Sequence, residues 1–184
     1  MEKPVYDFAY FYCTFTNDES THTQNILGSI LAQISREGDA VYEETRATYA
    51  QSSTTFASAP PQLETDALVG LIARQAQNRR RLHLVVDGVN ECSDSYGLLS
   101  ALEKLLKSAN GVQLLISSIN EKGIEQSVDR MPKSFQVTIS ARDIRHDIST
   151  LVSSTLKNHP RLSVLPPDLK ADITTELTDG AQGM

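Results

Sequence analysis

Leu82 to Cys92 reads LHLVVDGVNEC, and the reading of this stretch decides the fold. Leu82 to Val86 are almost all apolar and β-prone, which suits a strand buried on both faces of a parallel sheet. Asp87 falls at the last strand position, Gly88 opens a turn, and Glu91 follows four residues after Asp87. In open α/β sheets ligands bind beyond the carboxyl ends of the strands, so a carboxylate on that support can face a metal–phosphate group. On this reading Asp87 orients a magnesium ion, directly or through water, and Glu91 polarises an attacking water. These residues alone also permit a buried strand that ends in an acidic turn with no chemistry.

Downstream, a Ser-Asp-Ser turn leads into a predicted helix whose Leu98, Leu99, Leu102, Leu105 and Leu106 make one stripe, and Gly111 stops it. Val112 to Ser117 (VQLLIS) is a second apolar strand, ending in Ser117 and Ser118 where the same sheet edge places polar groups near a ligand. Phe135 to Ile139 is a third candidate strand, and Ser140 with Asp143 resembles a capping box opening a helix that carries Ile144, Ile148, Leu151 and Val152. Pro166 and Pro167 start a last helix with Leu169, Ile173 and Leu177 inward. Upstream, Val5 to Phe15 is rich in aromatic and β-branched residues and reads as a strand. Residues 17–20 turn the chain into a helix with Ile26, Leu27, Ile30, Leu31 and Ile34 on one face, and Gly38 ends it. Residues 40–50 are weakly helical, 51–61 (QSSTTFASAPP) form a small-residue loop, and 64–77 are helical again. Strands alternating with helices point to an α/β layer fold.

The chain has 184 residues, 40% of them apolar and 22% charged, which fits one globular domain with a real core. Lys+Arg number 17 against 23 Asp+Glu, a net charge of −6, so binding nucleic acid by backbone neutralisation is not expected. Arg79, Arg80 and Arg81 form the one basic cluster; at a helix end their expected role is capping. Cys13 and Cys92 make no disulfide framework and are expected as free thiols. With no secretory signal or membrane-spanning apolar run, a cytoplasmic setting is the expectation. His22, His83, His146 and His159 lack metal-ligand spacing, and Tyr10, Phe11, Tyr12 and Phe15 read as sheet core rather than a base-stacking platform.

Six pieces, taken in order, resemble a known family: YFYCTF (10–15), ILGSILAQI (26–34), LVVDGVNEC (84–92), LLISS (114–118), DIRHDISTL (143–151) and GAQGM (180–184). Together they are similar to the NACHT domain, in the fungal type related to the nephrocystin N-terminal domain of STAND-class signal-transducing NTPases. The resemblance implies a P-loop NTPase switch that binds ATP or GTP with Mg2+. It also implies an effector region before the domain, ankyrin, WD40 or TPR repeats after it, and oligomerisation through it; neither nucleic acid nor membrane is an implied partner. Matched by position, Asp87 is similar to the magnesium-coordinating Walker B aspartate and Glu91 to the water-activating acid. Ser117 and Ser118 stand at the strand end that resembles the nucleotide-sensing position. Asn90 stands where the family usually has Asp, and Ile119 where it usually has Arg, which removes a cation that would report on the γ-phosphate.

A phosphate loop needs a glycine-rich turn followed by Lys and Ser/Thr, and no G-x-x-x-x-G-K-[ST] occurs in these residues. In the family that loop and its strand lie just upstream of the position where this chain begins. The expectation is therefore one partial domain over residues 1–184, a P-loop NTPase three-layer α/β sandwich whose mostly parallel sheet misses its central Walker A strand. That strand is expected between the Asp87 strand and the Ser117 strand, leaving a vacant slot. The chain on its own is not expected to hydrolyse nucleotide, because two carboxylates cannot hold a triphosphate without the N–H cradle and lysine. Two alternatives stay beside this one: a degenerate, non-catalytic α/β protein-interaction module or gene-model remnant, and an unrelated α/β domain in which Asp87 is structural.

Overall fold

The structure, a computed structural model, describes residues 7–16, 21–35, 40–53, 63–77, 79 and 81–180. The chain divides into two compact units, residues 1–134 and 135–184. In the first, three parallel strands form one sheet in the order β1 (Asp7–Tyr12), β2 (Leu82–Asp87), β3 (Val112–Ile116). Helices α1 (Thr23–Ile34), α2 (Ala40–Ser53) and α3 (Thr65–Gln77) connect β1 to β2, and α4 (Ser95–Ser108) connects β2 to β3. Helix α5 (Lys122–Asp129) follows β3. Parallel neighbours require such crossovers, so the α/β class read from the strand–helix alternation holds, and it is consistent with an NTPase-like sandwich.

The core explains the register. Leu82, Leu84 and Val86 alternate inward along β2 and are fully buried against Ile26, Leu27 and Ile30 of α1, Leu68, Leu71 and Ile72 of α3, and Leu98, Leu99 and Leu102 of α4. Burying each such side chain contributes about 1.5–3 kcal/mol, and a slip of one residue would turn the whole inward set to the other face. Asp94, seven residues after Asp87, caps α4 by accepting the Gly97 N–H at 2.9 Å, which fixes the helix start at Ser95. The Arg79 guanidinium donates to the Ile34 carbonyl at the end of α1 and, at 3.1 Å, to Gln75 of α3, the helix it follows. Arg80 lies outside the described residues.

Four expectations are corrected. The Asp87 and Ser117 strands pair directly, Leu82 with Val112 through Val86 with Ile116, so no vacant slot separates them. Ladder hydrogen bonds fill the interval completely, and among the described residues the edge of β3 away from β2 has no strand partner. Residues 135–139 form no strand; Phe135, Val137 and Ile139 keep their alternation but are exposed, because alternation becomes a strand only when a neighbour supplies the ladder. Of the aromatic cluster Phe11 packs against the core, but Tyr10, Tyr12 and Phe15 do not: the pleat of β1 turns Ala9 and Phe11 inward and Phe8, Tyr10 and Tyr12 outward, where consecutive rings lie 5.8 and 5.5 Å apart, and Phe15 is exposed beyond the strand. In the second unit α7 (Pro167–Gly180) buries none of its residues fully, leaving Leu169 and Leu177 exposed against the expectation that they face inward.

That second unit pairs α7 with α6 (Ala141–Asn158). Asp143 reaches back to accept the Ser140 N–H at 2.7 Å and its hydroxyl at 2.6 Å, so the expected capping interaction is present. These bonds hold the Asp143 carboxyl below its ordinary value. Expected features at residues 5–6, 17–20, 38 and 54–61 lie outside the described residues. No helix among the described residues is long and apolar enough to cross a membrane.

Candidate functional site

Because the strands are parallel, Tyr12, Asp87 and Ile116 end at one edge of the sheet, and the polar residues that follow them meet there. Asp87 is exposed at the last position of β2 while its neighbour Val86 is fully buried, so the carboxylate stands on a rigid support facing water. The Ser117 hydroxyl donates to Asp87 Oδ1 and accepts the Gly88 N–H at 3.0 Å. Ser117 is tied on both sides of its backbone: its N–H donates to the Val86 carbonyl at 3.1 Å and its carbonyl accepts from Val89 N–H at 3.0 Å. Asp87 and Ser117, thirty residues apart in sequence, thus form one unit.

The turn between Asp87 and Glu91 is built by a backbone requirement. Gly88 has φ 73° and ψ 41°, the left-handed region, and a Cβ placed there would sit 3.1 Å from the Cys13 carbonyl oxygen. A single 3-10 turn, Val89–Glu91, follows, pinned by the fully buried Val89 side chain. It swings Glu91 back toward β1, where its Oε2 accepts the Phe15 N–H at 3.2 Å. Cys13 N–H donates to the Asp87 carbonyl at 2.9 Å, extending the β1–β2 ladder one residue past the strand. The corner therefore carries two carboxylates and a hydroxyl, hard oxygen donors of the kind magnesium accepts alongside retained waters. Among the described residues no three His, Cys, Asp or Glu side chains converge as a metal cage.

Two participants were not readable beforehand. Asn90, noted in the sequence only for the charge it lacks, accepts from the Ser118 hydroxyl at 3.2 Å and from Ile119 N–H at 3.1 Å, clamping the turn to the segment after β3. The Phe15 N–H that holds Glu91 is a backbone group, for which no side-chain pattern could have signalled. Ser118 is therefore at the site through Asn90, whereas Ser117 touches Asp87 directly. Cys13 and Cys92 are both buried free thiols, as expected. Burial first, then the nearby Cys92, Glu91 and Asp87, push the Cys13 thiol up to about 12. Burial also raises Cys92, whose Sγ–H donates to the Thr21 carbonyl at 2.7 Å.

Fold and site together define a class: an α/β protein with a parallel sheet and an acidic, hydroxyl-lined corner at the carboxyl ends of its strands. The family model described as nephrocystin 3, N-terminal, matches residues 2–119, a span that includes all three strands and the whole corner. The chain belongs to the nephrocystin 3 N-terminal family. No curated protein and no solved structure matches it.

Proposed function

We propose that this chain carries the Walker B and sensor-side half of a NACHT-type, STAND-class NTP-dependent signalling switch. Asp87 holds the Mg2+ of ATP or GTP, Glu91 orients the attacking water, and Ser117 and Ser118 respond to the nucleotide's phosphates. The observation that carries this reading is the juxtaposition of Asp87, Glu91 and Ser117 at one carboxyl edge of a parallel sheet, with Ser117 hydrogen-bonded to Asp87. In such a site the metal neutralises charge on the phosphates. The chain's own contribution is positional. The Ser117 hydroxyl occupies Asp87 Oδ1 and leaves Oδ2 to a metal-bound water or to the ion, while the Phe15 N–H fixes Glu91 Oε2 and leaves Oε1 for a water proton. An effector region, repeat domains and self-assembly are the partners this reading brings with it.

The test is a paramagnetic one, sensitive to weak binding. Trace Mn2+, which the corner's carboxylates can take without a phosphate cradle, added to the 15N-labelled chain, should broaden amide signals of residues 88–91 and 117–119, and Asp87→Asn should remove that broadening while leaving the spectrum otherwise folded. Broadening confined to other regions, or unchanged in Asp87→Asn, would refute the assignment. A second reading, a non-catalytic interaction module, is favoured by the exposed Ile119 and by the outward Phe8, Tyr10 and Tyr12. It predicts no Asp87-dependent Mn2+ broadening at the corner.

A further inference from the structure

The second unit contains a cleft of about 470 Å³ between α6 and α7. Arg142, Arg145, His146 and Ser149 line it from α6, and Thr174 and Thr178 from α7; no carboxylate is among its lining residues. Among the described residues Arg142 has no ion-pair partner. Arg145 is held by Asp179 at 2.5 Å, with both side chains still more than half exposed. The Thr178 hydroxyl is shut off from water and has no hydrogen-bond partner, so it offers no contact to a ligand in the cleft. Thr174 spends its proton on the Lys170 carbonyl at 2.8 Å, so the donors available to a ligand are the two guanidinium groups, the His146 ring, and the hydroxyls of Ser149 and of Thr175, which also lines the cleft. Asp143, the nearest carboxylate in sequence to Arg142, is occupied by Ser140.

Convergent donors with one uncommitted arginine fit a multiply charged oxyanion better than any other ligand chemistry, since guanidinium forks match phosphoryl and sulfate oxygens. The chain's net charge of −6 makes a diffuse attraction for anions implausible, so the attraction must be local to the cleft. We propose that this cleft binds a phosphoryl- or sulfate-bearing anion, with Arg142 as its principal contact and Arg145 shared between the ligand and Asp179. The proposal is independent of the reading at Asp87.

Inorganic tripolyphosphate is the probe for a free anion, and phosphatidylcholine vesicles containing phosphatidic acid are the probe for a lipid headgroup. Both are used on the full 184-residue chain. Titrating tripolyphosphate into the 15N-labelled protein should shift amide signals of residues 142–149 and 174–178. Arg142→Gln should weaken binding about tenfold, Arg142→Lys should fall between, and Asp179→Asn should tighten it by releasing Arg145. Circular dichroism confirms that each variant keeps its helices. Vesicle co-sedimentation lost in Arg142→Gln, without a tripolyphosphate response, would identify a lipid headgroup as the source of the same chemistry. No shift at millimolar tripolyphosphate together with no Arg142-dependent vesicle binding would overturn the proposal. So would shifts clustered elsewhere, or indifference to both Arg142→Gln and Asp179→Asn.

Discussion

Replacing Gly88 by alanine tests the geometry of the acidic corner without touching either carboxylate. Two costs add. The left-handed conformation at φ 73° disfavours any residue with a Cβ by about 1–2 kcal/mol. The new Cβ would also meet the Cys13 carbonyl oxygen at 3.1 Å, closer than ordinary van der Waals contact. That oxygen cannot withdraw freely, because the same residue's N–H is bonded to the Asp87 carbonyl at 2.9 Å. Yielding by a few tenths of an ångström would strain the β1–β2 junction, and a total of about 2 kcal/mol is the expected loss. With a urea m-value of about 2 kcal/mol/M this displaces the midpoint by about 1 M, followed by far-ultraviolet circular dichroism. Gly180→Ala is the control: nothing lies within 4 Å of its added Cβ, so it should be neutral or slightly stabilising. If Gly88→Ala moved the midpoint no more than Gly180→Ala does, the corner would not require a left-handed residue and the strain argument would fail.

Asp94→Ala removes the carboxylate that accepts the Gly97 N–H and should cost about 1 kcal/mol in a urea melt, whereas Asp94→Asn or Asp94→Ser should recover most of it. Asp143 supplies a pH dependence of known sign. Its bonds from Ser140 depress its folded-state value, so its stabilisation is present above the ordinary carboxylate range and is lost as pH falls through the depressed one. Protection factors of the amides of residues 140–144, corrected for intrinsic exchange, should therefore fall in acid below about pH 4, and Asp143→Asn should abolish that pH dependence. The 184 residues alone should show no Mg2+-dependent ATP hydrolysis above a buffer blank; activity that Glu91→Gln abolished would refute this expectation.

Sequence alone reached the strands β2 and β3 because each is a short apolar run bounded by turn residues, and it reached the placement of Asp87 and Ser117 at one sheet edge because parallel strands run the same way, but not their direct contact. Neighbour order was not legible. Nothing in LHLVVD or VQLLI says which strand lies beside which, and the expected slot between them is closed by their own ladder. Residues 135–139 failed for a related reason: period-two apolarity reports a preference for the pleat, while a strand also needs a partner's N–H and C=O groups. The outward Phe8, Tyr10 and Tyr12 defeated the reading of aromatic as buried, since residue type carries less information than parity along the strand. Ser140 and Asp143 succeeded because capping is local and needs only a three-residue spacing.

Asn90 sharpens the functional question at the corner. Its amide oxygen accepts two bonds that an aspartate carboxylate in the same place could also accept, so asparagine clamps the turn onto Ser118 and Ile119 without adding a charge. The fold of the turn rests on Gly88, on buried Val89 and on the Ser117 backbone, none of which is ionised. Architecture and electrostatics are thus separable here, and a chain could lose nucleotide chemistry without losing the corner. Asp87→Asn is isosteric and retains an amide oxygen to accept from Ser117, so it leaves that architecture standing. Any change it makes in the response to a divalent cation therefore reports the carboxylate's charge.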